Sequence, residues 1–98
     1  MADLRFEWDP RKSATNRRKH RVSFEEAQTV FFDDHALLLD DPDESKDEER
    51  FVLVGLSAAP RVVTVCHCVR EEGAVIRIIS ARKADKHEAA QYWARLRR

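Results

Sequence analysis

Apolar and polar side chains alternate near the start of the chain, with Leu4, Phe6 and Trp8 set against Arg5, Glu7 and Asp9. A repeat of two predicts a strand with one buried face. Asp9-Pro10 then reads as a helix N-cap followed by proline at the first helical position, where the missing N–H costs nothing. The helix is expected to run to His20, and it is so polar that it can bury only a narrow stripe around Ala14. Ser23 and Glu26 have the spacing of a capping box, with Val22 placed to staple against Ala27. The second helix sets Phe24, Ala27, Val30 and Phe31 on one apolar stripe and is expected to end near Asp33-Asp34.

Downstream, 36–39 reads as a short strand before an acidic loop over 40–49. Three strand-like runs follow, at 51–57, 61–69 and 74–82, separated by the turns Ala58-Ala59-Pro60 and Arg70-Glu71-Glu72-Gly73. Each run is apolar on both faces, which predicts central strands covered on each side. Their close spacing predicts antiparallel hairpins, because parallel crossovers need a dozen or more residues. The last segment, 84–98, places Ala89, Trp93 and Leu96 on one stripe and reads as a C-terminal helix. The order predicts a single α+β domain over 1–98, with a central antiparallel β-sheet, two N-terminal helices and one C-terminal helix.

Composition narrows the class. Of 98 residues, 43% are hydrophobic, enough to exclude a disordered tail, and 37% are charged, well above the roughly 25% usual for globular domains. The longest apolar runs are far shorter than the ~20 residues of a membrane span. The N-terminal residues lack the apolar stretch of a secretory signal, so a cytoplasmic protein without membrane contact is expected. The formal net charge of zero is unevenly distributed. Residues 1–22 carry a balance of +4, residues 23–50 of −9, and residues 51–98 of +5. If folding joins the two basic ends, they form a cationic face suited to an RNA backbone or an acidic partner.

Two signals imitate metal sites. Cys66-His67-Cys68 has suitable ligands, but along a strand the thiols face one way and the imidazole the other, and no second cluster completes a tetrahedron. Asp41, Asp43, Ser45, Asp47 and Glu49 mimic the odd positions of a calcium loop, yet Lys46 replaces its glycine and Val52 its final glutamate. No metal and no cofactor are expected, and the acidic loop is expected to be solvated.

Five segments in order carry a resemblance: Phe6-Glu7-Trp8-Asp9-Pro10, Asn16-Arg17-Arg18-Lys19-His20, Val22-Ser23-Phe24-Glu25-Glu26-Ala27, Glu49-Arg50-Phe51 and Arg77-Ile78-Ile79-Ser80-Ala81-Arg82. Together they resemble the BrnT family of bacterial type II toxins over nearly the whole chain. The resemblance implies a RelE-like fold and a ribonuclease. It further implies neutralisation by a BrnA-type antitoxin with a ribbon-helix-helix domain, through which alone the complex would meet operator DNA. A hetero-oligomer with that antitoxin is expected. One position departs from the family pattern, with Arg21 standing where it usually carries glycine. A left-handed cap there costs a non-glycine residue roughly 1 kcal/mol.

RNA cleavage without a metal uses the 2′-hydroxyl as nucleophile and requires a base, an acid and cations for the charge on the phosphorane. Arginine suits the phosphate and histidine the proton transfers. The catalytic candidates are Arg82, which closes the last strand and matches the family motif, Arg77 within that strand, His20 and Arg50. Each has a structural alternative: a strand-end surface charge for Arg82 and Arg50, an ion pair for Arg77, a helix cap for His20. Substrate-binding candidates are Lys19, Lys83, His67, if it faces a cleft and not the core, and Tyr92, if it stacks on a base and not on a neighbouring helix. A non-catalytic RNA-binding or interaction module is the competing expectation. A binder would hold RNA intact with salt-dependent affinity.

Overall fold

A computed structural model describes residues 4–40 and 49–97. Most of the acidic segment, and with it the calcium-loop imitation, lies outside them. In chain order the described elements are β1 (Arg5–Glu7), α1 (Pro10–His20), α2 (Phe24–Thr29), a 3-10 turn (Val30–Phe32), β2 (Leu37–Asp40), β3 (Arg50–Leu56), β4 (Val62–Arg70), a second 3-10 turn (Glu71–Gly73), β5 (Val75–Lys83) and α3 (Lys86–Leu96). The class is α+β. No described helix is long and apolar enough to cross a membrane.

The strands form one sheet in the order β1-β5-β4-β3-β2. From β2 to β5 every neighbour is antiparallel, as the short connections require. The expected antiparallel sheet holds at its centre and is corrected at its edge, where β1 pairs parallel to β5 through Arg5↔Val75, Phe6↔Ile76 and Glu7↔Arg77. The chain leaves β1 through two helices, crosses to the far edge, and meanders back until β5 lies beside its own beginning. The sheet is therefore mixed.

Helices cover both faces, which explains the doubly apolar central strands. On one face Val22, Phe24, Ala27 and Val30 pack against Leu53, Val63, Val65, Ile76, Ile78 and Ala81. On the other, Val54, Val62 and Tyr92 form a smaller core joined by Leu37, Val52 and Leu96. The C-terminal helix buries Tyr92, at 1% exposure, and leaves Trp93 44% exposed, correcting the stripe expected through Trp93. The Tyr92 hydroxyl donates to Asp33 Oδ2 at 2.6 Å, and the Leu56 N–H donates to the same oxygen at 2.8 Å. A buried tyrosine needs such a partner, whereas the indole can stay at the surface. Gly55 permits this approach, because a Cβ there would meet Ala36 Cβ at 2.9 Å and Asp33 Oδ2 at 3.1 Å.

The first helix begins as expected, with Asp9 Oδ1 accepting from the Arg11 N–H at 2.8 Å and Pro10 at the first position. Its inward stripe is Ser13, Asn16 and His20, and Ala14 is exposed. Asn16 explains this rotation. Short β1 reaches only Arg77, so the rest of the β5 edge lacks a partner strand. The Asn16 amide supplies one: Nδ2 donates to the Ala81 carbonyl at 2.8 Å and to the Val22 carbonyl at 2.9 Å, while Oδ1 accepts from the Ala81 N–H at 3.1 Å. Buried backbone groups that a hydrocarbon could not satisfy are thereby paired.

Arg21 takes the left-handed conformation expected of the family glycine, at φ 60° and ψ 26°, and its N–H bonds to the Arg17 carbonyl. Arg61 holds the turn, donating to the Arg21 carbonyl at 2.7 Å while forming a two-point pair with Glu26. The capping box expected at α2 is half formed. Ser23 Oγ accepts from the Glu26 N–H at 3.0 Å, but the Glu26 carboxylate is taken by Arg61 and Ser57. That helix stops at Thr29, short of the expected Asp33-Asp34, and gives way to the 3-10 turn. The complete capping box belongs to α3, between Asp85 and Glu88.

Candidate active site

On the sheet face that carries α3, strand alternation places Val52 on β3, Thr64 and Cys66 on β4, and Arg82 on β5. The helix covers only part of this face. Between its first turns and the open sheet lies a cleft of about 490 Å³. Arg50, Cys66 and Arg82 line its strand side, and Asp85, His87, Glu88 and Gln91 form the helical wall. A bulge in β5 at Ile79, between the pairs Cys66↔Ser80 and His67↔Ile78, turns both Ile79 and Ser80 toward the rim. Bulges of this kind re-aim side chains beside functional clefts.

Arg82 is fixed by Glu88 through two hydrogen bonds, Nη1 to Oε1 at 2.7 Å and Nη2 to Oε2 at 2.9 Å. Glu88 Oε1 also accepts from Thr64 Oγ1 at 2.9 Å and from the Asp85 N–H at 3.0 Å. Burial would raise the Glu88 pKa, but the hydrogen bonds from Arg82, Asp85 and Thr64 outweigh it and bring it down to about 2. Glu88 therefore stays ionised at neutral pH, where it can deliver no proton. The Arg82 side chain remains 44% exposed, so donors beyond those given to Glu88 face the cleft. Among the described residues, buried Arg50 Nε has no hydrogen-bond acceptor.

His87 stands on the first turn of α3, exposed on the cleft wall. It was absent from the sequence-based candidates, as were Asp85, Glu88 and Gln91. A capping box read at Asp85 and Glu88 would have located the start of α3, and with it the imidazole on its first turn.

The expected site residues separate into groups. Arg82 and Arg50 share the cleft. Arg77 lies on the same sheet face, in the row Arg50–Cys68–Arg77–Glu7 across four strands. It is tied to Glu7 at 2.6 Å and does not line the cleft. Lys19 and His20 line a neighbouring groove of about 330 Å³ along α1. Lys83 pairs with Val63, whose side chain belongs to the core under α1 and α2, so alternation points it away from Arg82.

Two expectations are corrected. His67 is 2% exposed, with its ring edge-on to Phe31 at 4.8 Å, and burial lowers its pKa. It is a core histidine that RNA cannot reach. Tyr92 is buried and hydrogen-bonded to Asp33, so it has no face to offer a base. The predicted opposition within Cys66-His67-Cys68 holds for the first pair: Cys66 lies on the cleft floor and His67 in the opposite core.

Residues 8–88 match the family model described as "Ribonuclease toxin, BrnT, of type II toxin-antitoxin system". No curated protein sequence matches the chain. The crystal structure of the Brucella abortus ribonuclease toxin BrnT aligns with a TM-score of 0.65 at 19% identity, over 85% of this chain and 99% of that one. At that identity the likeness is one of fold.

Proposed function

Because this chain belongs to the BrnT family of ribonuclease toxins of type II toxin–antitoxin systems, we propose that it is an endoribonuclease whose reaction takes place in the cleft beside α3. The observation that carries the reading is Arg82, held at two points by Glu88 and facing the cleft shared with Arg50 and His87. A preorganised guanidinium is suited to a phosphate that gains charge during reaction, because its orientation is set before the substrate arrives.

In this reading Arg82 and Arg50 bind the non-bridging oxygens of the scissile phosphate. His87 handles the proton. The 2′-hydroxyl loses its proton and attacks the adjacent phosphorus, the phosphorane charge falls on the arginines, and the 5′-oxygen leaves with a proton. The products are a 2′,3′-cyclic phosphate and a 5′-hydroxyl, and no metal takes part. Histidine is the side-chain type that can both give and take a proton near neutral pH. Glu88, held at a pKa of about 2, positions Arg82. Arg77 steadies the β1–β5 edge through Glu7. A RelE-like arrangement, with a phosphate-binding arginine at the end of the last strand, fits this assignment.

The toxin is held inactive by a cognate antitoxin, which we take to be BrnA-type with a ribbon-helix-helix domain, in a cytoplasmic hetero-oligomer. A test is induced expression in bacteria, with growth and total RNA followed together. Growth arrest with RNA fragmentation, both abolished by Arg82→Ala at equal protein level, is expected. Arrest that survives Arg82→Ala would move the activity away from this cleft.

A further inference from the structure

The cleft is not strongly cationic. Arg50 and Arg82 share its walls with Asp40, Asp85 and Glu88. Arg82 is already neutralised by Glu88 at 2.7 Å. A site that holds one phosphate in place is thus poorly equipped to attract a polyanion from solution, since that attraction scales with the number of phosphates neutralised.

The neighbouring groove has the opposite character. It runs along one flank of α1, where Arg11, Lys12, Lys19 and His20 line it and no carboxylate does. Among the described residues Arg11, Lys12 and Lys19 form no ion pair. Arg11 and Lys12 stand in the first turn and Lys19 two turns further on, so the charges are spread over about 12 Å of helix. Asn16, also in the wall, spends its amide on Ala81 and Val22 and is therefore part of the frame. The groove and the cleft meet, because Ile79 and Ser80 line both. The bulge in β5 is the saddle between them.

We propose that the α1 groove is a backbone-binding subsite for single-stranded RNA, which receives the strand flanking the scissile phosphate and supplies most of the electrostatic affinity. Lys19 and His20 belong to this subsite and not to the reacting centre. The proposal rests on the ribonuclease reading of the adjacent cleft and extends it to substrate length: RNA reaching both regions is bound well, and a dinucleotide is not.

The same helix supplies the control. Arg17 and Arg18 lie off this flank and line other surface hollows. Lys12→Gln with Lys19→Gln is compared with the charge-matched pair Arg17→Gln with Arg18→Gln. The probe is a fluorescein-labelled single-stranded RNA of roughly ten nucleotides, read by anisotropy over a salt series. The first pair is expected to weaken binding about tenfold and to reduce the salt slope by about 1.4, the value for two lost phosphate contacts on a single strand. The control pair is expected to change both by much less. In cleavage assays the groove pair raises KM for the long RNA, and the control pair does so much less.

Equal losses in both pairs would overturn the subsite, leaving only diffuse attraction to a basic helix. Unchanged RNA affinity in the groove pair, with weakened capture of the cognate antitoxin, would overturn it in favour of an acidic protein segment. Selective loss of binding with no cleavage by any form of the protein would uphold the subsite while the ribonuclease reading failed.

Discussion

Arg82 and Glu88 join the end of β5 to the first turn of α3 through two hydrogen bonds of 2.7 and 2.9 Å. One interaction thereby performs two tasks: it orients a guanidinium toward the cleft and anchors the helix that carries His87. The two tasks can be separated by substitution.

Arg82→Ala removes the phosphate ligand but keeps the Thr64 and Asp85 bonds to Glu88. We expect kcat/KM for RNA to fall by about 100-fold or more, the usual cost of losing a preorganised transition-state donor. Circular dichroism should remain that of the folded protein. Arg82→Lys should recover little, because an ammonium cannot reproduce the planar fork.

The histidines should separate in kinetics. His87→Ala is expected to lower kcat by about 100-fold, the scale of general acid–base catalysis. His20→Ala should act on KM and leave kcat nearly as it was. An unaltered kcat in His87→Ala would remove that residue from the chemistry.

Acid should destabilise the fold through its paired carboxylates. Glu88 has a native pKa of about 2 against an ordinary 4.5, so its stabilisation is complete above 4.5 and is lost as the pH falls toward 2. Glu26 shifts downward through its bonds to Arg61, and Asp33 does so because N–H and O–H donors outweigh its burial. All three act with the same sign. Thermal unfolding should show Tm nearly flat from pH 7 to about 5 and then falling steeply, and Glu88→Gln should make that fall shallower.

Much of this architecture was legible from periodicity. The strand at Leu4–Trp8, the Asp9 cap, the apolar stripe of α2 and the hairpins of β3, β4 and β5 follow from side-chain spacing, because each depends on neighbours close in sequence. What escaped depends on distant partners. The parallel pairing of β1 with β5 is decided by a crossover that the spacing of β1 does not encode. The inward turn of Asn16 over Ala14 comes from an unpaired edge across the fold. Tyr92 is chosen over Trp93 for burial because Asp33 waits for its hydroxyl. The site divided in the same way. Arg82 and Arg50 were visible as motif residues, whereas His87 became visible only once Asp85 and Glu88 had placed α3 against the sheet.

Asn16→Ala should be among the most damaging substitutions outside the apolar core. It leaves the Ala81 N–H and the Ala81 and Val22 carbonyls without partners, at about 1–3 kcal/mol per buried group. Asn16→Asp should also destabilise, because a carboxylate accepts from the Ala81 N–H but cannot donate to either carbonyl. Urea titration of the two variants measures both losses.

Arg21→Gly should stabilise the protein. The left-handed backbone at φ 60° costs a non-glycine residue, while the bond from Arg61 to the Arg21 carbonyl does not use the side chain. A gain of about 0.5–1 kcal/mol is expected, or a few degrees in Tm for a domain of this size. A loss on substitution would show that the Arg21 side chain contributes more than the strain removes.

The most direct measurement of the central claim is incubation of purified, antitoxin-free protein with defined RNA in excess EDTA, with fragment ends read by mass spectrometry. Arg82→Ala and His87→Ala prepared identically control for contaminating nuclease. The account predicts fragments ending in 2′,3′-cyclic phosphate and beginning with 5′-hydroxyl, formed by the unmodified protein and lost in both variants. Intact RNA bound with salt-dependent affinity, or cleavage that persists in both variants, would contradict it.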